Sequence, residues 1–209
     1  MDLVQKYFPG LPATTLEKLE RLKPLYREWN DKINVISRKD IDNFETHHLL
    51  HSLAMARFIK FQPGTTVLDL GTGGGFPGIP LAIYFPDVKF TLIDGIGKKI
   101  KVVQEVIEAL ELKNVSAAQQ RAEELKGKTF DFVISRAVAP IDKLYEWSYR
   151  LIHDKHKNAL PNGLIALKGG NLRNELHALR KGIYKEQTPI HKWIPLEYFE
   201  EKYVVYVQK

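Results

Sequence analysis

Between Asp69 and Gly78 the chain reads Asp-Leu-Gly-Thr-Gly-Gly-Gly-Phe-Pro-Gly, one acid and five glycines in ten residues. Glycine accepts positive φ and lets a backbone pass close to a ligand. The apolar run before it, Thr66-Val67-Leu68, predicts a strand entering the turn, and the residues after it predict a helix opening at Pro77. A second apolar run, Lys89-Phe90-Thr91-Leu92-Ile93, ends in Asp94, 23 residues beyond Gly71. That is close to the ~20 spacing of a ribose-binding acid in nucleotide folds. A carboxylate there can accept hydrogen bonds from two sugar hydroxyls. Type and spacing together predict a site for an adenosine-containing cofactor.

Two cofactor patterns overlap on this turn. Gly73-x-Gly75-x-x-Gly78 satisfies the dinucleotide fingerprint, and Gly71-x-Gly73-x-Gly75 preceded by Asp69 satisfies that of S-adenosylmethionine (SAM) methyltransferases. Charge separates them. A pyrophosphate favours helix N–H donors and cations. Here an acid precedes the glycines, and Pro77 removes one N–H donor. SAM carries a sulfonium and an ammonium and no phosphate, so the acidic turn favours SAM. The dinucleotide and a purely structural glycine turn remain the lesser readings.

The elements that must position these residues read as one α/β unit. Leu16, Leu19, Leu22, Leu25, Tyr26 and Trp29 recur at helical spacing over 12–35, with Pro24 expected to kink or split the segment. A second helix is expected over 40–59, on Phe44, Leu49, Leu53, Met55 and Phe58. These make residues 1–60 a helical extension packed on a core of residues 61–209. Strands are expected near 66–70, 89–94, 114–119, 131–135 and 163–168, and helices near 77–85, 97–111, 140–152 and 171–182. The alternation predicts a doubly wound, mostly parallel sheet with a Rossmann-like arrangement. Residues 203–207 should form a last strand, paired with another near 190–195. The polar run 153–158 reads as a mobile loop.

The whole chain has 209 residues, 44% of them apolar, and formal charge +6. That is enough for one layered domain. It lacks cysteine. Disulfides, iron–sulfur clusters and thiolate zinc are thereby excluded, and a reducing cytoplasm is expected. No signal-peptide pattern opens the sequence and no apolar run reaches membrane-span length. The charge suits a nucleic-acid partner, as does the basic set Arg21, Lys23, Arg27, Lys32, Arg38 and Lys39.

Ligands of open α/β sheets bind at the carboxyl ends of the strands. The third expected strand ends near Gln119 to Glu123, where an amide or acid could read an adenine edge. The fourth ends in Ser135-Arg136-Ala137 and the fifth in Lys168-Gly169-Gly170, so two cations are expected to converge on one rim. The acceptor is narrowed by what is missing. Methylation at cytosine C5 needs a thiolate nucleophile, which a chain without cysteine cannot supply. The Asn/Asp-Pro-Pro-aromatic loop of exocyclic adenine methylation is replaced by Ser135-Arg136-Ala137-Val138-Ala139-Pro140. No carboxylate–histidine pair is evident there. An acceptor with a free lone pair, such as guanine N7, needs only alignment with the methyl donor.

Asp69-Leu-Gly-Thr-Gly-Gly-Gly-Phe-Pro-Gly-Ile-Pro80 resembles the ribosomal RNA small-subunit methyltransferase G family, once called glucose-inhibited division protein B. Trp29-Asn30 with Asn34, Leu92-Ile93-Asp94 with Gly97-Lys98-Lys99, Arg121-Ala122-Glu123-Glu124, Ile134-Ser135-Arg136-Ala137 and Ala166-Leu167-Lys168-Gly169 follow in that family's order. The resemblance implies a class I SAM-dependent fold with a seven-stranded sheet, acting on a guanine N7 of 16S rRNA in the small subunit; a monomer is expected, although the sequence itself does not show whether the chain dimerises. It places Gly71, Phe76, Ala122, Glu123 and Arg136 against SAM. The residue argument adds Asp69, Gly73, Gly75 and Asp94. The resemblance also places Asn34, His48, Arg136 and Lys168 at an RNA-facing mouth, where they are the candidate catalytic residues. His51-Ser52 and Lys202-Tyr203 depart from the family's usual pattern, the lysine losing bidentate phosphate geometry.

Plainer readings stand beside these. His47 and His51 have metal-like spacing, but without a glutamate motif a polar helix face is favoured and no metal site is assigned. Lys98-Lys99-Ile100-Lys101 suits a solvated face slightly better than a phosphate grip. Trp29 is expected in the core, and Asn30 and Asn34 equally well as turn residues. A methyltransferase for small molecules or proteins, and a non-catalytic RNA-binding module, are the competing functions. The intact turn and Asp94 disfavour the module, and the basic extension disfavours a small substrate.

Overall fold

The computed structural model describes residues 1–37, 40–136 and 138–209. Arg38 and Lys39 of the basic extension, and Ala137 after the fourth strand, lie outside the described residues. The chain opens with α1 (Asp2–Tyr7) and α2 (Ala13–Lys32). A π-helical turn, Glu45–Leu50, runs into α3 (His51–Phe58). Alternation then begins with β1 (Thr66–Leu70), α4 (Gly78–Tyr84), β2 (Lys89–Asp94), α5 (Gly97–Ala109) and β3 (Val115–Gln119). It continues with β4 (Phe132–Arg136), α6 (Ile141–Tyr149), β5 (Gly163–Gly169), α7 (Arg173–Ala178), β6 (Lys185–Pro189) and β7 (Lys202–Gln208).

The seven strands lie in the order β3-β2-β1-β4-β5-β7-β6. The first five are parallel, and β7 runs antiparallel between β5 and β6. The chain moves outward from β1 to β3, then returns to place β4 on the other side of β1. That reversal opens a crevice at the carboxyl ends of β1 and β4.

Alternation of side chains decides what each face covers. Val67, Phe90, Leu92, Ile134, Leu167 and Tyr206 pack with α1 through α5. Leu68, Ile93, Val133, Ala166 and Val207 pack with α6 and α7. Central parallel strands are buried on both faces, which is why they read as continuous apolar runs rather than alternating ones. Residues of α1, α2 and α3 share one core with the sheet, through Val4, Leu22 and Leu53.

Several expectations need correction. α2 is not split at Pro24 but continues through it as a single helix of 20 residues. Leu19, Leu22 and Tyr26 on either side of the proline are fully buried, and their packing outweighs the lost N–H. The second helix starts at Phe44 rather than Asp40 and has a widened π turn. The partner of β7 is Lys185–Pro189, while Ile190–Lys192 forms a 3₁₀ turn. The 153–158 run is tied down. Lys157 pairs with the fully buried Asp131 at 3.1 Å and donates to the Gly64 carbonyl at 2.6 Å. Asn158 accepts the Gln62 N–H at 2.8 Å. A buried carboxylate requires compensation, and this loop supplies it.

Candidate active site

The glycine turn is held from below and from the side. Asp69 at the end of β1 is fully buried. One of its oxygens accepts the Thr72 hydroxyl at 2.7 Å and the Gly78 N–H, which opens α4, at 2.9 Å. Its other oxygen has no hydrogen-bond partner among the described residues. Burial pushes this carboxyl up to about 7, against the pull of the Thr72 and Gly78 hydrogen bonds. Asp69 thus faces the underside of the turn. From the side, the Tyr26 hydroxyl of α2 donates to the Gly74 carbonyl at 2.5 Å.

Each glycine carries a distinct constraint. At Gly75 an added Cβ would meet Ile79 at 2.7 Å and the Tyr26 hydroxyl at 2.9 Å. Gly73 has φ +57° and nothing within 4 Å of the position a Cβ would take. Its backbone therefore borders open space. Its N–H donates to one Asp94 oxygen at 2.8 Å, and the other Asp94 oxygen accepts the Ile96 N–H at 2.9 Å. Those bonds fix the carboxylate at the end of β2 and leave it lone pairs for further donors.

The open space is a cleft of about 330 Å³, lined by Val35, Gly71 to Gly74, Phe76, Asp94, Lys99, Arg136 and Val138. This set fits SAM. A glycine without Cβ leaves room, a partly exposed carboxylate can take sugar hydroxyls, and a guanidinium can take an amino-acid carboxylate. Ala122 and Glu123 are not among the lining residues. They follow β3, where a 3₁₀ turn, Ala122–Glu124, is anchored by Arg150, which donates to the Ala122 carbonyl.

Arg136 ends β4 on the α1–α5 face. Its guanidinium lies 5.1 Å from the centroid of the Phe76 ring and donates to the His47 carbonyl at 3.2 Å. Phe76 is buried against Tyr26, Phe44 and His48, with ring centroids 4.9, 5.8 and 4.9 Å away. Burial pulls Arg136 below its usual value, opposed by Tyr198 and Asp69. His48 is buried, with Nε2 3.1 Å from Asp40 and Nδ1 3.4 Å from Arg136. Burial and the Arg136 charge push it down to about 4, against the pull of Asp40. A carboxylate–histidine pair is therefore present beside Arg136, contrary to the reading of residues 135–140. Both ring nitrogens are engaged, which leaves neither free to take a proton.

The two expected cations do not converge. Lys168 follows Ala166 on the opposite face of the sheet. It pairs with Glu175 at 2.8 Å and donates to the Ala139 carbonyl at 3.0 Å. Glu175 also accepts the Ile141 N–H at 3.0 Å, so the lysine anchors the chain after β4 to α7. Asn34 is exposed. Asn30 shapes this segment instead: its oxygen accepts the Val35 and Ile36 N–H groups and its amide donates to the Ile36 carbonyl. Val35, Val138, Asp40 and Tyr198 were not singled out in the sequence. Lys99 was, in the Lys98–Lys101 run read as a solvated face or a phosphate grip, and it lies at the cleft.

The sequence matches the family described as GidB, rRNA small subunit methyltransferase G, over residues 15–194. The chain belongs to this family. It is 53% identical to the ribosomal RNA small subunit methyltransferase G of Flavobacterium johnsoniae, over 99% of this chain and 97% of that one. The same identity holds against that of Bacteroides fragilis, over 99% of each chain. Among solved structures, a SAM-dependent methyltransferase from Aquifex aeolicus is similar in fold, with TM-score 0.56 at 18% identity, covering 82% of this chain and 98% of that one. The molecule is a SAM-dependent methyltransferase with the class I fold. Among the described residues no helix is long and apolar enough to cross a membrane.

Proposed function

We propose that this methyltransferase modifies N7 of a guanine in 16S rRNA, within the small ribosomal subunit, by direct displacement. Bound SAM supplies an electrophilic methyl whose bond to sulfur breaks as the bond to N7 forms. Guanine N7 brings its own lone pair, so no proton need leave the acceptor. The observation that carries this reading is the state of His48. With one ring nitrogen on Asp40 and the other facing Arg136, the site offers fixed positive charge and shape rather than a base. Such a site works by alignment.

In this reading Gly71, Gly73, Gly75, Phe76 and Asp94 cradle the cofactor, with Ala122 and Glu123 toward its base. Asp69 holds the turn in shape from beneath. Arg136 serves both the cofactor and the guanine, whose O6 can accept its hydrogen bond while the N7 lone pair stays free for the methyl. His48 orients Arg136, Asn34 faces substrate beside Val35, and Lys168 positions the segment after β4. Residues 1–60 act as an extension of the 61–209 unit, and the protein works as a cytoplasmic monomer. The test is to map modified bases on small-subunit rRNA from cells lacking the protein. One N7-methylguanine should vanish and return when purified protein and SAM are added to small subunits or deproteinised rRNA. Unchanged N7-methylguanine at every position would end the assignment.

A further inference from the structure

Arg136 is central to the proposed reaction, and its position depends on groups outside the glycine turn. We propose that Asp40 is a positioning residue for Arg136, acting through the side chains of His47 and His48. The inference rests on the functional reading of the cleft. Among the described residues, the hydrogen bonds of Arg136 go to the His47 carbonyl and to His48 Nδ1. Both of these histidines are fastened to Asp40. His47 Nδ1 lies 2.5 Å from Oδ1, and His48 Nε2 lies 3.1 Å from Oδ2. Two adjacent residues of a regular helix point about 100° apart. Here both belong to the π-helical turn, and both imidazoles reach the one carboxylate.

The chemistry of the link follows from its acceptors. Burial opposes ionisation of Asp40, but the hydrogen bonds and charges of His47 and His48 outweigh it and hold the carboxyl below its usual value. An ionised carboxylate only accepts, so His48 must carry its proton on Nε2. Its Nδ1 is then bare and presents a lone pair to the guanidinium. Without Asp40 the proton is free to move to Nδ1, where it would face an N–H of Arg136. His47 is held a second way, stacked on Tyr198 with centroids 3.9 Å apart at 14°. Of the other groups around Arg136, one Asp69 oxygen is taken by Thr72 and Gly78 and the Tyr26 hydroxyl by the Gly74 carbonyl, while the second Asp69 oxygen makes no hydrogen bond to Arg136. His51 turns toward the Tyr198 hydroxyl, 3.5 Å away.

The experiment combines kinetics with NMR of the imidazole nitrogens. In the wild-type protein at neutral pH, His48 should show a protonated Nε2 and a bare Nδ1. The reverse tautomer would overturn the proposal without any variant. Asp40→Asn should shift His48 toward the Nδ1–H form and lower kcat on small subunits about 10-fold or more, the scale of lost orienting contacts at metal-bound histidines. The thermal midpoint should move little. Asp40→Glu should recover part of the rate, and it carries both readouts if the asparagine variant does not fold. Wild-type kcat in Asp40→Asn, or a lost rate with the His48 tautomer unchanged, would overturn the link. Should the wild-type protein transfer no methyl to small subunits, the functional reading fails on its own, and the tautomer still decides whether Asp40 governs His48.

Discussion

Single glycines in the turn separate holding the fold from holding the cofactor. Gly73 faces open space, whereas a Cβ at Gly78 would lie 2.7 Å from Asp69 and 2.8 Å from Leu92. Gly78→Ala should therefore cost about 1–3 kcal/mol of stability through overpacking. Gly73→Ala carries only backbone strain of about 1–2 kcal/mol, yet its methyl enters the cleft. We expect cofactor affinity to fall at least about 10-fold in Gly73→Ala. Calorimetric titration and urea unfolding of both variants decide the matter, and equal effects on binding would refute the distinction. A second prediction concerns His51, whose buried Nε2 lacks a partner among the described residues. Burial, with Arg136 and Lys202 nearby, holds its value well below the ordinary 6.5. The unfolded chain takes up this proton as pH falls below about 6.5 while the folded chain does not, so stability declines on acidification. His48 acts in the same direction down to about 4, while Asp69, raised to about 7, acts oppositely over about pH 7 to 4. His51→Leu should flatten the decline by up to about 1.4 kcal/mol per pH unit, read from urea unfolding between pH 7 and 5. Parallel curves would show that His51 does not titrate in this way. The turn and Asp94 were legible because their residues are consecutive or end neighbouring strands. Asp40 and Tyr198 were not, because they meet Arg136 and His47 only after folding, and no sequence period marks such a meeting.

Elements with strong apolar periodicity were legible nearly to their ends, as with β1 at 66–70 and β2 at 89–94. β6 was misplaced because Lys-Glu-Gln-Thr-Pro is a polar edge strand with no alternation to detect. The π turn was invisible for a similar reason, since its neighbours keep an ordinary helical pattern. Pro24 gives the sharpest test at this scale. It is exposed inside α2, and it leaves the Glu20 carbonyl without its helical donor. Pro24→Ala should restore that bond and raise stability by about 1–3 kcal/mol. An unfolding midpoint equal to the wild type would mean that α2 is already bent to suit the proline. Asn30 bears on the cleft through the segment it shapes. Asn30→Ala should weaken cofactor binding by loosening Val35, while a titration identical to wild type would free that wall from the asparagine.

For the molecule as a whole, charge decides the substrate class. A formal charge of +6 and a basic extension should make affinity for small-subunit rRNA fall steeply with salt, log K falling by about 0.7–0.9 per unit log salt for each phosphate neutralised. Cofactor affinity should change little over the same range. A flat RNA response would favour a small substrate instead. The sheet carries one more implication. Its last strand in sequence, β7, is an inner strand, with β5 on one side and β6 on the other. During synthesis β5 and β6 therefore emerge before the segment that joins them, and hydrogen-bonding groups along both stay unclaimed until residue 208 is available. A nascent chain arrested upstream of Lys202 can shape the cofactor turn, yet it exposes a sticky open margin beside β5. Closing this side of the sheet thus waits on residues 202–208, remote in sequence from the glycine turn.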